Sequence, residues 1–401
     1  MEPDADPASY NGEPIPSYRI DLSLPPEERY VRMAQEMGPR MRMLVPLFDF
    51  VVGIYIPWAW GKRSIRFLAW VFLRRVFSPE QTIEIKSIAK HVGCSLYLLV
   101  ALNVLLDSLL GCTSGGVMTR ADGKKENDDG YQPQQERMMH FRTLDWGMDE
   151  LRSIICELEF VRSASPEPEK VLARTVTEDL SVSLNFRPNH NCSIISLRIH
   201  QLKVLLGFRP AIGSCLRDAI LAEPLVMPQG HDSLRMTIER LNSIPTAPCY
   251  VILCDGITTA VIERDLKTND VRSSREFIVH TNHDTDSAGS VRPGQDQRTK
   301  NGILSMEGWL EESEDRMNCL TKRWNSLRRR HDKKQQADGV RAGDLRPPVV
   351  REELLRKWMA TYPITNECTH HSMIMDPKTC EIRWLERGVV NVGKEEIAEQ
   401  K

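Results

Sequence analysis

The chain has 401 residues, of which 41% are hydrophobic and 27% charged, the usual proportions of a globular protein with a sizeable core. Lys and Arg number 53 against 55 Asp and Glu, and this balance argues against nucleic acid or an anionic membrane as the main partner. None of the ten cysteines forms a CxxC pair, so neither a zinc ribbon nor a redox pair is indicated. The first 25 residues are acidic and rich in proline, which predicts no signal peptide and, by default, a cytoplasmic protein.

Helical patterns dominate the first part of the chain. Residues 26–43 have the apolar spacing of a helix, and Glu27 and Glu28 near its start suit the helix dipole. Two strongly apolar stretches follow, at 64–77 and 94–111. The sequence therefore predicts a mainly helical N-terminal segment.

The second apolar stretch, 94–111, comes close to the length of a membrane span. Asn103 and Asp107 fall inside it, and no Lys or Arg flanks it closely. We therefore expect a buried core helix rather than a span. A further alternative is that both apolar stretches form a surface for lipid.

Short β-branched runs separated by turns follow, up to about residue 285. The runs are SIICELEFV, LSVSLNF, CSIISL, CYVILCDG, TTAVIERD and EFIVHT. A helical stretch at 209–243 interrupts them, a basic solvated stretch occupies 322–339, and residues 350–361 have helical spacing. A terminal hairpin is predicted with its turn at Asp376–Pro377. Strands on both sides of helices predict an α+β layered domain rather than repeating βαβ units.

The sharpest sequence feature is GCTSGG at 111–116, which follows the second apolar stretch. The small Gly111 leaves the peptide bond before Cys112 open to attack by the thiol. If that bond breaks, Cys112 becomes a chain terminus that carries a nucleophile and an α-amine, and an amine with an ordinary pKa of about 8 can act as general base. This design needs no separate histidine. The alternative is a buried structural cysteine.

Other polar residues are candidates for the same site. Arg142 and Asp145 lie in FRTLDWG, where the carboxylate would hold the ammonium group of Cys112 and the arginine would lower the thiol pKa. Asn282 in TNHD follows a predicted strand and suits an oxyanion hole, and Arg316 in EDRMNCL would brace the site. Each also has an ordinary interpretation, as an ion pair, a turn residue or a helix-surface charge.

A metal site is a weaker hypothesis. Cys368, His370 and His371 in ECTHHS carry metal-binding side chains, but no fourth ligand is indicated. Adjacent histidines on a strand point to opposite faces of the sheet. The chain also has no P-loop, dinucleotide fingerprint or GxSxG elbow. We therefore expect neither a metal nor a cofactor.

Taken together, these motifs resemble the acid ceramidase family, which includes the N-acylethanolamine-hydrolysing acid amidases and shares a fold with choloylglycine hydrolases. The resemblance covers most of residues 17–387, in family order. The segments that carry it are PSYRIDLSLPPEERY, ALNVLLDSLLGCTS, FRTLDWG, SLNFRPN, PTAPCYVILCDG, VIERD, VHTNHD and EDRMNCL. It implies an αββα sandwich and a precursor that cuts itself before Cys112. The products would be a helical α-chain of residues 1–111 and a catalytic β-chain of residues 112–401.

The resemblance also implies residue roles. The catalytic set would be a nucleophile, its two electrostatic partners, an oxyanion donor and a site organiser: in that order Cys112, Arg142 and Asp145, Asn282, and Arg316. Asn185 in SLNFRPN matches a family position beside the acyl-binding cleft, and Asn185 and Phe186 are therefore expected to contact substrate.

The implied reaction is hydrolysis of ceramide to a fatty acid and a sphingoid base, without a cofactor. An N-acylethanolamine is the alternative substrate, and a bile-acid or penicillin-like conjugate is a third. The implied partners are a lipid amide, a membrane surface and the other chain of the same precursor, with no nucleic acid.

The sequence departs from the family pattern in three places. A glycine-rich segment before SLNFRPN is missing, which shortens the chain near residues 176–180 and predicts the loss of strands from the sandwich. Phe186 stands where lysosomal members have an acidic residue. Cys319 matches one cysteine of a family disulfide, but no cysteine precedes Cys94, so two fragments would stay together by packing alone and a lysosomal address is not supported. The alternative function is thus an inactive, lipid-binding paralogue or isoform.

Overall fold

The computed structural model describes residues 13–46, 48, 52–53, 58–105, 111–120, 136–146, 149–174, 176–177, 180–188, 190, 192–221, 233–285 and 306–389. The α-helices are α1 (Val31–Arg42), α2 (Ala59–Phe72), α3 (Pro79–Val92), α4 (Leu96–Leu105), α5 (Ile194–Leu205), α6 (Ile212–Leu221), α7 (Ser233–Asn242), α8 (Met306–Ala337) and α9 (Glu352–Met359). The strands are β1 (Ser17–Asp21), β2 (Gly111–Arg120), β3 (Glu136–Asp145), β4 (Glu157–Val161), β5 (Val176–Thr177), β6 (Leu180–Phe186), β7 (Cys249–Cys254), β8 (Thr259–Arg264), β9 (Asn269–Ser274), β10 (Phe277–His280), β11 (Val350–Arg351), β12 (Thr369–Asp376) and β13 (Glu381–Arg387).

Two sheets form the centre of the molecule. The first has the order β10-β2-β3-β12-β13, with β11 pairing in parallel to β2, and the second is an antiparallel meander in the order β5-β6-β7-β8-β9. Every residue of β7 and β8 is buried, because these strands lie in the middle of the second sheet and both of their faces are covered. Gly111 at the start of β2 pairs with Asp145 at the end of β3.

The two sheets face each other, and helices cover their outer faces. His140 of β3 spans the interior, with its two ring nitrogens 2.7 and 2.8 Å from the hydroxyls of Ser181 and Ser183 on β6. Its neighbours Met139 and Phe141 point the other way, as alternation along a strand requires, and pack against α8 and α9. Helices α6 and α7 pack on the outside of the second sheet. This arrangement is the predicted αββα sandwich, and the α+β class is confirmed.

The glycines of GCTSGG are explained by the packing of β2. A Cβ atom on Gly115 would lie 2.1 Å from the Ile278 carbonyl oxygen, and one on Gly116 would lie 1.9 Å from the Thr259 hydroxyl. Any larger residue would therefore push β2 away from β10 or from the second sheet. The second half of the motif serves the fold.

Residues before Gly111 are joined to those after it by more than apolar packing. Strand β1 pairs in parallel with β4 along its whole length, from Ser17↔Glu157 to Asp21↔Val161. In α3, the buried Glu84 accepts hydrogen bonds from Arg29 and from Arg217 of α6, each at 2.9 Å. An apolar cluster of Tyr18, Ile20, Tyr30, Met33, Met37 and Phe160 surrounds the strand pair.

Several local predictions are confirmed and two are wrong. The terminal hairpin β12–β13 and the helix at 350–361 are present, and α6 and α7 account for the described part of 209–243. The first helix begins at Val31, so Glu27 and Glu28 lie in turns before it. CSIISL was expected to be a strand, but it enters α5, because the Ser193 hydroxyl caps this helix by accepting from the Ser196 N–H.

The two apolar stretches differ in burial. In α4, Leu98 and Val100 are buried, which confirms a core position for the described part of 94–111. In α2, only Gly61 and Ala69 are buried, and most of its large side chains are exposed. Among the described residues, no helix is both long enough and apolar enough to span a bilayer.

The shortened segment lies at an edge of the second sheet. Strand β5 has only two residues, which pair with Leu180 and Ser181 at the start of β6. Strands β6 to β9 form a regular sheet beyond it. The described residues of the shortened segment thus lie at the edge of this sheet, and the expected loss of strands stays a prediction.

Candidate active site

Cys112 occupies the start of β2, where its side chain points into the sandwich. It pairs with Leu144 of β3 and is completely buried. Its side chain belongs to an apolar cluster, which we call the cysteine pocket. The other members of the cluster are Leu44, Leu144, Trp146, Leu151, Ile154, Leu184 and Phe186. Residues of the N-terminal segment, of both sheets and of the loop after β3 thus meet at this cysteine.

Arg142 is the charged partner of the thiol. One of its Nη atoms lies 3.7 Å from the Cys112 sulfur and 3.3 Å from the carbonyl oxygen of Leu184, to which it donates. Burial raises the pKa of the Cys112 thiol, and the positive charge of Arg142 lowers it by less. The expected effect of the arginine is present, but the net direction is upward because the uncut chain excludes water from the sulfur.

Asn282 holds the backbone of Cys112. Its side-chain oxygen accepts from the Cys112 N–H at 2.9 Å and from Arg316 at 3.1 Å, while its side-chain nitrogen donates to the Phe186 carbonyl at 2.9 Å. Two donors on the oxygen and a carbonyl on the nitrogen fix the orientation of the amide group. In this arrangement Asn282 positions the nitrogen that a cut would convert into the α-amine. Its expected role as oxyanion donor stays a prediction.

Asp145 lies on the opposite face of β3 from Arg142, towards α8. Its carboxylate accepts from Arg316 at 2.5 Å and from the Thr369 hydroxyl at 2.7 Å. Burial raises the pKa of Asp145, and the charge of Arg316 opposes that shift. The sequence predicted a direct contact with the amine of Cys112. The structure instead connects the carboxylate to that nitrogen through Arg316 and Asn282.

The loop that carries Asn282 is fixed to α8 by a hydroxyl network. The Ser313 hydroxyl accepts from the Asn282 N–H at 2.8 Å, donates to the Thr281 hydroxyl at 3.0 Å and lies 2.9 Å from His283 Nδ1. Burial lowers the pKa of His283 to about 4, so the ring is neutral at neutral pH. Sequence analysis missed Ser313. Its position three residues before Arg316, on one helix face, was the signal that pointed to it.

Asn185 is buried in the sandwich beside this loop. Its side-chain oxygen accepts from the Ser114 hydroxyl at 2.8 Å, and its nitrogen donates to the carbonyls of His280 and Thr281 at 3.1 and 3.2 Å. It therefore links β6 to β2 and β10 in the uncut chain. Phe186, the other expected substrate contact, lines the cysteine pocket with its ring and holds Asn282 with its carbonyl.

Arg187 anchors the chain after β6. Its guanidinium donates two hydrogen bonds to Asp284, at 2.7 and 2.8 Å, and the Tyr250 hydroxyl donates to the same carboxylate at 2.8 Å. All three side chains are buried. This bidentate pair ties SLNFRPN to TNHD, two segments that sequence analysis assigned to one site.

The weaker metal hypothesis finds no support. His370 Nε2 lies 2.9 Å from the Trp146 carbonyl, and in the part of the chain that the structure describes Cys368, His370 and His371 do not form a metal-binding group. Burial lowers the pKa of both histidines to about 3.

Chemically, the site provides a thiol beside a fixed cation and a backbone nitrogen held by an amide oxygen. The buried pair of Asp145 and Arg316 keeps that amide in place. Proteins use such an arrangement for nucleophilic attack on a carbonyl followed by departure of an amine.

This chain is similar to several known proteins. A family model described as the beta subunit of N-acylethanolamine-hydrolyzing acid amidase matches residues 13–77. An acid ceramidase from Heterocephalus glaber is 23% identical over 308 residues, which are 69% of this chain and 71% of the relative. The uncharacterized protein R632 of Acanthamoeba polyphaga mimivirus is 22% identical over 293 residues, 67% of this chain and 78% of that protein.

One solved structure is also similar, the Caenorhabditis elegans N-acylethanolamine-hydrolyzing acid amidase ortholog. It is 18% identical with a TM-score of 0.39, over 67% of this chain and 93% of that one, and this likeness is too weak to carry an argument. The family model covers a segment before Cys112, and the acid ceramidase relative covers about two thirds of the chain. Both support the resemblance to acid ceramidase and the N-acylethanolamine-hydrolysing acid amidases, whose members are amidohydrolases.

Proposed function

We propose that this protein cuts itself before Cys112 and then hydrolyses the amide bond of a lipid, with ceramide as the first substrate and an N-acylethanolamine as the second. The proposal rests on one observation: both the backbone nitrogen and the side-chain sulfur of Cys112 contact fixed polar groups. The Cys112 nitrogen lies 2.9 Å from Asn282 Oδ1, and its sulfur lies 3.7 Å from Arg142. Amine and thiol of a processed Cys112 would thus be held in place before substrate arrives.

Maturation begins with the thiol. The Cys112 sulfur attacks the carbonyl carbon of Gly111, the C–S bond forms, the C–N bond breaks, and the thiol proton passes to the released amine. Water then hydrolyses the thioester, which leaves a carboxylate on Gly111 and a free Cys112. Chains of residues 1–111 and 112–401 result, joined by the β1–β4 pair and the Glu84 network.

Turnover repeats the same chemistry on the substrate. The amine of Cys112, held by Asn282, takes the thiol proton, and the thiolate attacks the amide carbonyl while Arg142 balances its charge. The amine then protonates the leaving sphingoid or ethanolamine nitrogen, and water hydrolyses the acyl thioester. We assign the Asn282 amide nitrogen to the oxyanion at this stage, after it leaves the Phe186 carbonyl.

An apolar acyl chain suits the walls of the pocket. Leu44, Leu184 and Phe186 belong to the same apolar cluster as the thiol, and the Arg142 guanidinium hydrogen-bonds the sulfur. Pocket and nucleophile together favour a long-chain amide over a bile-acid or penicillin-like conjugate.

A membrane surface is the proposed source of such a substrate. Helices α2 and α5 flank α4 and expose large apolar side chains, which we call the apolar surface: Trp60, Phe67, Trp70 and Phe72 of α2, and Ile194, Ile195, Ile199 and Leu202 of α5. Trp60 is 71% exposed and Phe67 is 62% exposed. Lys62, Arg63 and Arg66 lie on the same helix as these aromatic residues, as in helices that lie in a membrane interface.

The proposed function is tested by measuring fatty acid released from ceramide and from N-acylethanolamine by mass spectrometry. The wild type should release fatty acid from one or both, and Cys112→Ala and Cys112→Ser should release none above background. Equal release by Cys112→Ala would refute the proposal. Ceramide binding by an uncut wild-type chain that shows no turnover would instead favour the inactive lipid-binding alternative.

A further inference from the structure

Three metal-binding side chains that the proposed reaction does not use meet beside the second sheet. His190 and Cys192 follow β6, and Asp265 follows β8 in the turn to β9. One ligand atom from each residue lies within 4.8 Å of the other two, and His190 Nδ1 is 3.1 Å from the Cys192 sulfur. In the described part of the chain, it is the one group of three His, Cys, Asp or Glu side chains whose ligand atoms lie this close together.

Backbone on both sides of the cluster is held in place. Cys192 directly precedes Ser193, the residue that caps α5. The Asp265 N–H donates to the Thr268 carbonyl at 2.8 Å, which closes the β8–β9 turn. Arg187 lies 3.6 Å from the Asp265 carboxylate, but its two short hydrogen bonds go to Asp284. Cys192 and Asp265 are therefore each presented next to a hydrogen-bonded backbone.

The chemistry of the donors points to one class of metal. A thiolate, an imidazole nitrogen and a carboxylate oxygen are the zinc ligands, whereas magnesium and calcium require oxygen donors. Tetrahedral zinc separates a sulfur and a nitrogen ligand by about 3.6 Å. The observed 3.1 Å reaches that value by a small side-chain rotation. His190 and Cys192 are only half-buried, so solvent reaches the cluster.

We propose that His190, Cys192 and Asp265 bind a zinc ion, with water as the fourth ligand. The ion would join the chain after β6 to the β8–β9 turn. That chain begins at Phe186, whose carbonyl holds Asn282, and it ends at α5, which carries half of the apolar surface. A zinc ion would thus stabilise the connection between the cysteine pocket and the apolar surface. The proposal stands on these three residues and does not depend on the amidase function.

Cobalt(II) is the probe that tests the site, because thiolate ligation to cobalt produces a charge-transfer band. All proteins would carry Cys112→Ala, which removes the thiol of the candidate active site, and would be kept reduced. One equivalent of Co²⁺ should produce the band, and Zn²⁺ should displace it. Cys192→Ser should abolish the band, and His190→Ala should weaken Co²⁺ binding at least tenfold. Cys156→Ser, a half-buried cysteine outside the cluster, is the matched control and should leave the titration unchanged.

Thermal unfolding keeps the test independent of folding defects. Saturating Zn²⁺ should raise the melting temperature of the Cys112→Ala protein and leave that of the Cys112→Ala/Cys192→Ser protein unmoved. A cobalt band that survives Cys192→Ser would place the metal elsewhere and overturn the proposal. Absence of the cobalt band would overturn the proposal as well, whether or not iodoacetamide alkylates Cys192 rapidly and so shows the thiol to be accessible.

Discussion

The cysteine pocket and the apolar surface differ in burial and in how their side chains are partnered. Near Cys112, the buried charges of Asp145 and Arg316 are paired and belong to a connected network: Arg316 joins Asp145 to Asn282, and Asn282 holds the Cys112 nitrogen. On α2, by contrast, indole and phenyl rings face outwards, and Trp60 and Phe67 are more than half exposed. The first region is complete within the protein, whereas the second has apolar area without a counterpart in the described chain.

This contrast suggests that the polar network at the pocket is needed for stability, whereas the exposed rings of the apolar surface are needed for function. A buried pair of opposite charges persists only when its geometry is good and its remaining hydrogen bonds are made. Exposed aromatic residues contribute nothing to folding, and their number on one helix needs a reason outside the fold. We therefore expect changes at the pocket to unfold or inactivate the protein, and changes at the apolar surface to affect lipid contact alone.

The largest effect is expected from Arg316→Met. It leaves the buried Asp145 carboxylate without its cation and removes one of the two donors to Asn282, so the free energy of unfolding should fall by about 3–5 kcal/mol. Urea unfolding measures it. Arg328→Ala is the matched control on the same helix, because its pair with Glu276 is 45% and 37% exposed and should contribute less than about 1 kcal/mol. Equal losses for the two variants would contradict the account of the pocket.

The next effect concerns the attachment of the N-terminal segment. Glu84→Gln removes the charge that Arg29 and Arg217 share, and the free energy of unfolding should fall by about 2–3 kcal/mol. Glu36→Gln breaks an exposed pair with Arg32 in α1 and should change it by less than about 0.5 kcal/mol. In cut protein, Glu84→Gln should also release the N-terminal fragment at lower urea. Co-elution of the two fragments at every urea concentration would show that the strand pair and apolar packing hold them together without the Glu84 network.

Acid should destabilise the protein through its buried histidines. Burial lowers the pKa of His140 and His370 to about 3 and that of His283 to about 4. Between the unfolded value of about 6.5 and these pKa values, the unfolded chain binds more protons than the folded one. Stability from these groups is therefore complete above pH 6.5 and is lost as the pH falls, by up to about 1.4 kcal/mol per pH unit for each histidine.

Melting temperatures measured from pH 7.5 to pH 5 test this prediction. His140→Asn, which removes one of the buried rings between the sheets, should flatten the slope by about one proton. Burial raises the pKa values of Asp145 and Glu263, and protonation of these two groups acts in the opposite direction. A melting temperature that rises between pH 7 and pH 5.5 would contradict the prediction.

The smallest effect on stability is expected at the apolar surface. Trp60→Ser combined with Phe67→Ser should change the free energy of unfolding by less than about 0.5 kcal/mol, yet reduce sedimentation with phospholipid vesicles severalfold. Ile257→Ser, an exposed apolar residue in the β7–β8 turn, is the control and should leave vesicle binding unchanged. Equal vesicle binding by the wild type, the double variant and the control would show that the apolar surface does not bind lipid.

The family resemblance implied the sandwich and named residues that lie around Cys112, among them Arg142, Asn282 and Arg316. It did not predict how their side chains are hydrogen-bonded to one another. Strand alternation places Asp145 and Cys112 on opposite faces of the first sheet, and only the register Gly111↔Asp145 shows this. The CSIISL run has the composition of a strand, but Ser193 caps a helix that begins within the run, at Ile194. The burial that raises the thiol pKa depends on seven other apolar residues from distant segments.

Self-cleavage before Cys112 is the central claim, and N-terminal sequencing of the purified protein after denaturing electrophoresis tests it most directly. Wild type should give two fragments, of which the larger begins at Cys112, and Cys112→Ala should give one uncut chain. An uncut wild type, or a wild-type cut at another bond, would contradict the claim that Asn282 and Arg142 hold this residue for its own release.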